Sequence, residues 1–221
     1  MNYLEICTDA SIRTYPNGRT FGCSGTMCIN NAEQYNLIFQ DTTNNRAELL
    51  AIYIGIKLGE KIMKENPGLY DGIILYSDSQ FGIFGLTKWM DGWMKNRDSN
   101  GVMYGSNRKP VKNQDLFVCI LSYIALNQIP VKFLHCSGHV RYTSCKNLVK
   151  ANETFNKANG FYLRPEDIYK ISYYNDIVDR NTKAVLEDID PDAYSIIPPV
   201  QDYSQFMREC IIPPYYKQFI L

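Results

Sequence analysis

Three carboxylates stand where they could act together. Asp9 closes the apolar stretch Tyr3-Leu4-Glu5-Ile6-Cys7-Thr8, Glu48 lies early in a long helical pattern, and Asp78 follows Gly72-Ile73-Ile74-Leu75-Tyr76-Ser77. The ends of strands in an open sheet collect at one edge, and chemistry gathers there. Acids brought together repel and hold their protons unless a cation neutralises them. Hard oxygen ligands of this kind suit Mg²⁺ or Mn²⁺. Taken singly, each is equally an ordinary solvated acid, and Glu48 near a helix start would offset the helix dipole. His139 is one of two histidines; alone it reads as a structural or exposed side chain as readily as an acid–base group. His135, Cys136, His139 and Cys145 are conceivable zinc ligands, but their spacing is irregular and no CxxC pair anchors them.

These residues need elements to position them. Residues 3–9 read as a strand, and Pro16-Asn17-Gly18 as a turn. Residues 22–30 and 33–41 are β-rich and joined at Asn30-Asn31, completing an antiparallel meander. Residues 45–64 change to a helical period that is apolar nearly all round, the mark of a buried helix ended by Pro67-Gly68. Residues 72–77 form a short apolar run expected of a buried parallel strand. Helices are predicted at 79–95, 112–127 and 145–158, with a fifth strand at 131–135. The order β-β-β-α-β-α-α-β-α implies an α/β fold with a five-stranded mixed sheet, three antiparallel strands then two parallel, flanked by helices.

Local words sharpen this reading. Thr42-Thr43-Asn44-Asn45-Arg46-Ala47-Glu48-Leu49 resembles the TTNNRxEL signature of type 1 ribonuclease H. Ser77-Asp78-Ser79-Gln80-Phe81 resembles that family's TDSQY, and Cys7-Thr8-Asp9-Ala10-Ser11 its opening TDGS. Residues 109–117, KPVKNQDLF, are similar to the KPVKNxDLW segment after the family's basic protrusion. Four words in order across residues 3–159 carry the resemblance. It implies the RNase H-like fold and a metal-dependent endonuclease that cuts the RNA strand of an RNA–DNA hybrid, leaving 5′-phosphate and 3′-hydroxyl ends. It also implies two Mg²⁺ ions, with Mn²⁺ as substitute, held by Asp9, Glu48, Asp78 and a fourth ligand. His139 would be the mobile histidine that shuttles a proton and helps product leave.

The fourth ligand departs from the pattern. The family reads GH, a loop, then N…AD.LA on the last helix. Here Gly138-His139 is followed by Asn147 and Ala151-Asn152-Glu153, so Asn152 falls where the family has Asp. Either its amide oxygen makes a weaker ligand, or Glu153 compensates, or Asn replaces an original Asp. A catalytically weak or inactive hybrid-binding module is the alternative this raises. A junction resolvase or 3′ exonuclease of the same superfold is another, disfavoured by the TTNNRAEL word and the basic protrusion; the ribonuclease H part of a reverse transcriptase is a third, not expected because no polymerase region precedes Met1.

Residues 88–112 carry six bases and two acids. Trp89 and Trp93, four apart, share a helix face. On its own the stretch reads as a plain solvated basic loop with two core tryptophans; the resemblance makes it the basic protrusion that straddles the DNA strand through Trp89, Trp93, Lys95, Arg97, Arg108, Lys109 and Lys112. Asn44, Asn45 and Gln80 are expected in the minor groove, where uncharged amides can meet 2′-hydroxyls. Thr43 matches a residue that binds a DNA phosphate, and Asn45 would also serve as a helix N-cap.

The chain has 221 residues and equal numbers of acids and bases, 23 of each, so no global basic coat exists. No apolar run is long enough for a transmembrane helix, and residues 1–5 lack a secretory pattern. Seven cysteines without disulfide rhythm suggest reduced thiols and a cytoplasmic, monomeric protein. Neutrality conceals an asymmetry: residues 165–221 hold ten acids and five bases, leaving thirteen and eighteen in residues 1–164. The composition shift at Arg164-Pro165 suggests a catalytic domain over 1–164 and an acidic, Tyr- and Pro-rich extension over 165–221, expected to pack on the domain. Usage rich in Asn, Ile, Tyr and Lys suits an AT-rich, viral source.

Overall fold

The computed structural model describes residues 2–192, 212–213 and 215–221. Most of the Tyr- and Pro-rich stretch, 193–211 with Pro214, lies outside the described residues. The elements run β1 (Tyr3–Thr14), β2 (Thr20–Cys28), β3 (Gln34–Gln40), α1 (Asn44–Glu65), β4 (Gly72–Ser77), α2 (Gln80–Phe84), a π-helical turn (Gly85–Trp89), α3 (Met90–Lys95), α4 (Gln114–Asn127), β5 (Val131–His135), α5 (Cys145–Asn159) and α6 (Pro165–Glu187). The sheet order is β3-β2-β1-β4-β5. β1, β2 and β3 pair antiparallel, while β4 joins β1 and β5 in parallel. The mixed five-stranded sheet expected from sequence is therefore the one observed.

Alternation along β1 assigns the two faces. Leu4 and Ile6 point into the larger core with Ile52, Ile56, Leu75 and Phe117, roofed by α1 and α4. Cys7 points the other way, with Met27, Tyr76, Leu134 and Cys136, under Phe155 of α5 and Ile168, Ile171 and Val178 of α6. Asp9 and Ser11 continue on this second face, where Ser11 Oγ meets Thr182 Oγ1 of α6 at 2.9 Å.

One expectation is corrected here. The first strand does not stop at Asp9 but runs to Thr14, because β2 keeps pairing with it through Thr14↔Thr20. The boundary drawn at 164/165 falls at the start of α6, and α6 packs on the sheet. α6 covers β1 and β2 so closely that a Cβ at Gly25 would press on Thr182 and Val178. Its Lys170 pairs with Glu5 at 2.5 Å. Further on, Ile212 and Tyr216 are buried in the first core, and Leu221 N donates to Val131 O at 3.0 Å.

Candidate active site

The site opens where β4 leaves β1. The last parallel pair is Thr8↔Ser77, so Asp9 and Asp78 are the next residues on adjacent strands. Glu48 comes over from α1 to meet them. Carboxylate oxygens of Asp9, Glu48 and Asp78 lie within 4.8 Å of one another, the one such cluster of His, Cys, Asp or Glu among the described residues. The His135, Cys136, His139 and Cys145 set thus does not converge. Glu48 is not in the first helical turn, as expected, because α1 begins at Asn44 with Thr43 as N-cap. It sits in the second turn, turned inward, so the packing of α1 on the sheet places it rather than the helix dipole.

Neighbours hold each acid. Asp9 Oδ1 accepts from Ala10 N at 2.7 Å. A Cβ on Gly138 would collide with Asp78 Oδ2, so this glycine makes room for the carboxylate. His135 Nε2 lies 3.2 Å from Asp78 O, beside the Phe84 ring, and burial lowers its pKa. That residue is structural support. Asn175 of α6 hydrogen-bonds the Asp78 side chain and also meets Cys136 Sγ at 3.4 Å.

The electrostatics fit a cation. Burial first, then Asp78, raises Asp9 from its ordinary 3.8 to about 8. Burial, then Asp9 and Asp78, raises Glu48 well above the carboxylate range. Burial also raises Asp78, against the opposing pull of His139. Asp9 Oδ2 and Glu48 Oε2 are buried without a hydrogen-bond partner. Orphaned carboxylate oxygens facing one another are costly unless protonated or bound to metal. An all-oxygen donor set of this kind suits a hard divalent ion.

Two further acids line this cleft outside the 4.8 Å cluster, Glu187 and Asp179, and Asp179 is the buried one that the sequence reading missed. It lines the same cleft as the three carboxylates, from the buried side of α6. Its Oδ2 lies 2.7 Å from Lys183 Nζ and 3.4 Å from His139 Nδ1. Asn152, expected as the fourth ligand, is turned elsewhere. Its amide donates to Leu163 O at 2.8 Å and accepts from Leu163 N at 3.0 Å, tying the α5–α6 connection to α5. Glu153 is exposed on the same helix and does not line the cleft. α5 stands between Gly138-His139 and α6, the helix that carries Asp179. The readable signal is Asn175-x-x-x-Asp179, an Asn followed by an Asp beyond the boundary drawn at 164.

The remaining candidates divide. Asn44, Asn45 and Gln80 line the acid-walled cleft, with Ser11, Arg13 and His139. Because Thr43 is the N-cap, without a side-chain cap bond, Asn45 is not consumed by capping. Thr43 is exposed at the helix start. Trp89 and Trp93 meet with ring centroids 5.8 Å apart and planes inclined at 51°, and they line a separate groove of about 400 Å³ with Gly105 and Asn107. The protrusion is two small turns, bridged Arg97↔Met103 and Tyr104↔Pro110, with Met103 and Val111 anchored in the core. Lys95, Arg97, Arg108, Lys109 and Lys112 are exposed on it but do not line that groove. Arg97 Nε is held by Gly101 O at 3.2 Å.

Comparison with known proteins follows the same outline. The RNase H family profile matches residues 1–157. A ribonuclease H of Lachnoclostridium phytofermentans is 34% identical over 144 residues, covering 62% of this chain and 80% of that protein. Ribonuclease HI of Haemophilus influenzae is 34% identical over 152 residues, covering 66% and 87%. Among solved structures, LC11-RNase H1 in complex with RNA/DNA hybrid aligns with a TM-score of 0.42 and 19% identity, over 70% of this chain and 95% of that one. α6 and Asp179 lie past the profile's last matched residue, whereas Asp9, Glu48 and Asp78 lie inside it. A profile match over most of the chain, with relatives a third identical along four-fifths or more of their own length, establishes that this chain belongs to the RNase H family.

Proposed function

We propose that this protein is a metal-dependent endonuclease that hydrolyses the RNA strand of RNA–DNA hybrids. The observation that carries the reading is the convergence of Asp9, Glu48 and Asp78 around two orphaned oxygens, with Asp179 on the facing wall. Divalent cations held there, two Mg²⁺ with Mn²⁺ as substitute, would activate water and stabilise the leaving 3′-oxygen. The protein's own groups do the rest. Asn44, Asn45 and Gln80 offer neutral donors and acceptors along the cleft, suited to 2′-hydroxyls and base edges. His139, 72% exposed and in a left-handed backbone conformation, stands at the cleft lip with Nδ1 toward Asp179. That orientation leaves Nε2 to exchange a proton with substrate or product. Trp89 and Trp93 present flat apolar surface to the DNA strand, and the bases of the protrusion attract its phosphates.

The rival reading of an inactive hybrid-binding module rested on Asn152 as a neutral fourth ligand. With Asp179 lining the cleft, that motive is gone. The test is cleavage of end-labelled hybrid beside matched duplex RNA and duplex DNA, with Mg²⁺, Mn²⁺ or chelator. Products with 5′-phosphate from the hybrid alone, abolished by chelator, are expected. Equal cleavage of duplex RNA, or cleavage in chelator, would overturn the assignment.

A further inference from the structure

A second cavity, of about 430 Å³, adjoins the acid-lined cleft and shares His139 with it. The chain after β5 supplies Ser137, His139 and Arg141, and α5 supplies Asn147, Lys150 and Thr154. The two cavities are chemical opposites. The cleft is walled by Asp9, Glu48, Asp78, Asp179 and Glu187, whereas no described residue lining the second cavity is a carboxylate. Arg141 and Lys150 are both exposed, and Asn147 Nδ2 fastens the loop to α5 by donating to Arg141 O at 3.4 Å. The surrounding stretch, 141–157, holds four bases and one acid. This stretch lies within the segment that separates Gly138-His139 from the helix bearing Asp179.

A concave site offering a guanidinium, an ammonium, an amide and the Ser137 hydroxyl, without a carboxylate, selects an anion rich in oxygen acceptors; the Thr154 hydroxyl donates to Lys150 O at 3.0 Å. The anion that already reaches His139, on the hybrid reading, is a nucleic-acid strand. Such a strand carries one phosphate per ~3.4 Å of helix axis, so a strand held at the acids brings further phosphates past His139. We propose that this cavity is a phosphodiester subsite, gripping the substrate strand where it continues beyond the scissile phosphate on the His139 side. The inference rests on the hybrid reading above. On this reading α5 lengthens the footprint of the enzyme.

The test uses Arg141→Gln/Lys150→Gln, with Lys146→Gln/Lys157→Gln as a control of equal charge change on residues that do not line the cavity. Hybrid binding is measured against salt in an Asp78→Asn background, which prevents turnover, on a long hybrid and on one that ends at the cut site. Thermal melting checks that each variant is folded. On the long hybrid the cavity variant should lower the salt slope by about 0.9 per lost contact, and on the short one by nothing. The control should leave both slopes near the parent's. In the active background, KM should rise on the long hybrid alone. An unchanged slope on the long hybrid, or equal losses on both lengths, would overturn the subsite. Competition by inorganic phosphate that Arg141→Gln/Lys150→Gln removes, without any change in slope, would assign the cavity to a free anion and overturn it too. If the parent protein binds hybrid no better than duplex DNA or RNA, the hybrid reading itself fails, which is a separate result.

Discussion

α1 and α6 flank the same sheet and each brings a buried carboxylate to the site, Glu48 and Asp179, but they are held by different forces. α1 buries Leu49, Ile52, Ile56 and Ile62, with Ala47 and Ala51 against Ala10. Its docking is apolar, and Glu48 is carried in on that packing. α6 buries Ser172, Asn175, Asp179 and Thr182 alongside Ile168, Ile171, Val178 and Leu186. Its docking is half polar, through Thr182 to Ser11, Asn175 to Cys136 and Asp78, and Lys170 to Glu5. Packing tolerates small slips, whereas matched hydrogen bonds fix register and cost more when half-broken. One wall of the cleft is therefore set by bulk and the other by specific partners.

The largest effect should come from removing the second wall. Burying Ile168, Ile171, Val178 and Leu186 contributes about 1.5–3 kcal/mol each, against a typical domain stability of about 5–15 kcal/mol. A chain ending at residue 164 would also expose Cys7, Met27 and Leu134. It should fail to melt cooperatively, and a cooperative transition by circular dichroism would show α6 to be an appendage. Next comes Asp78→Asn, or Asp9→Asn. Outer partners of metal ligands are worth about 10–100-fold, so loss of one of these acids should exceed ~100-fold in cleavage rate while hybrid binding survives. Retained activity in either variant would remove the metal assignment.

Asp179→Asn tests whether the two walls are equivalent in chemistry. It keeps the shape and removes the charge that faces Lys183 and His139. Cleavage should fall by about 10–100-fold, and Mn²⁺ binding by calorimetry should weaken. If Glu48→Gln is severe and Asp179→Asn changes neither quantity, the site has one working wall.

The same contrast explains what the sequence made legible. α1 could be read because its stripe is apolar and its word, residues 42–49, is distinctive. The sheet could be read because β4 is a pure apolar run and the β1–β3 meander has clear turns. α6 hid because its buried stripe, 168, 171, 172, 175, 178, 179, 182 and 186, has perfect helical spacing but is half Ser, Asn, Asp and Thr. Hydrophobic periodicity cannot register a helix that docks through hydrogen bonds. The acid excess of 165–221 then reads as an extension packed on a finished domain, and with the domain closed early the nearest Asn stands in for the missing Asp.

Metal-free stability gives a smaller effect with a definite sign. Asp9 holds its proton more tightly in the folded protein than in the unfolded chain, about 8 against 3.8. Its linkage therefore favours the fold at low pH, and that contribution is lost as pH rises from about 4 towards 8. In chelator, Tm should fall over this range, and Mn²⁺ at pH 8 should restore it. Asp9→Asn removes the buried charge, so at pH 8 in chelator it should gain at least ~1 kcal/mol, about 2–4 °C in Tm. A variant that melts lower than the parent under these conditions would contradict the electrostatic account of the first wall.

The smallest effect sharpens the comparison most, because it separates two candidate positions for one ligand. In an isolated reading of the sequence, Asn152→Asp restores a family carboxylate and should raise activity. In the folded protein Asn152 both donates to Leu163 O and accepts from Leu163 N. An aspartate can still accept from Leu163 N but has no N–H to give, and it would set a carboxylate against the Leu163 carbonyl. The acceptor left behind is partly buried, so the cost should be about 1–2 kcal/mol, near the low end of the penalty for an unsatisfied group. Tm should fall by a few degrees, since ~1 kcal/mol is worth about 2–4 °C in a domain of this size. Cleavage rate and Mn²⁺ affinity should not change, because the new charge lies off the acid-lined cleft. Were Asn152→Asp instead to tighten Mn²⁺ and speed cleavage, the α5 residue would be the ligand after all, and Asp179 would be reduced to a partner of Lys183.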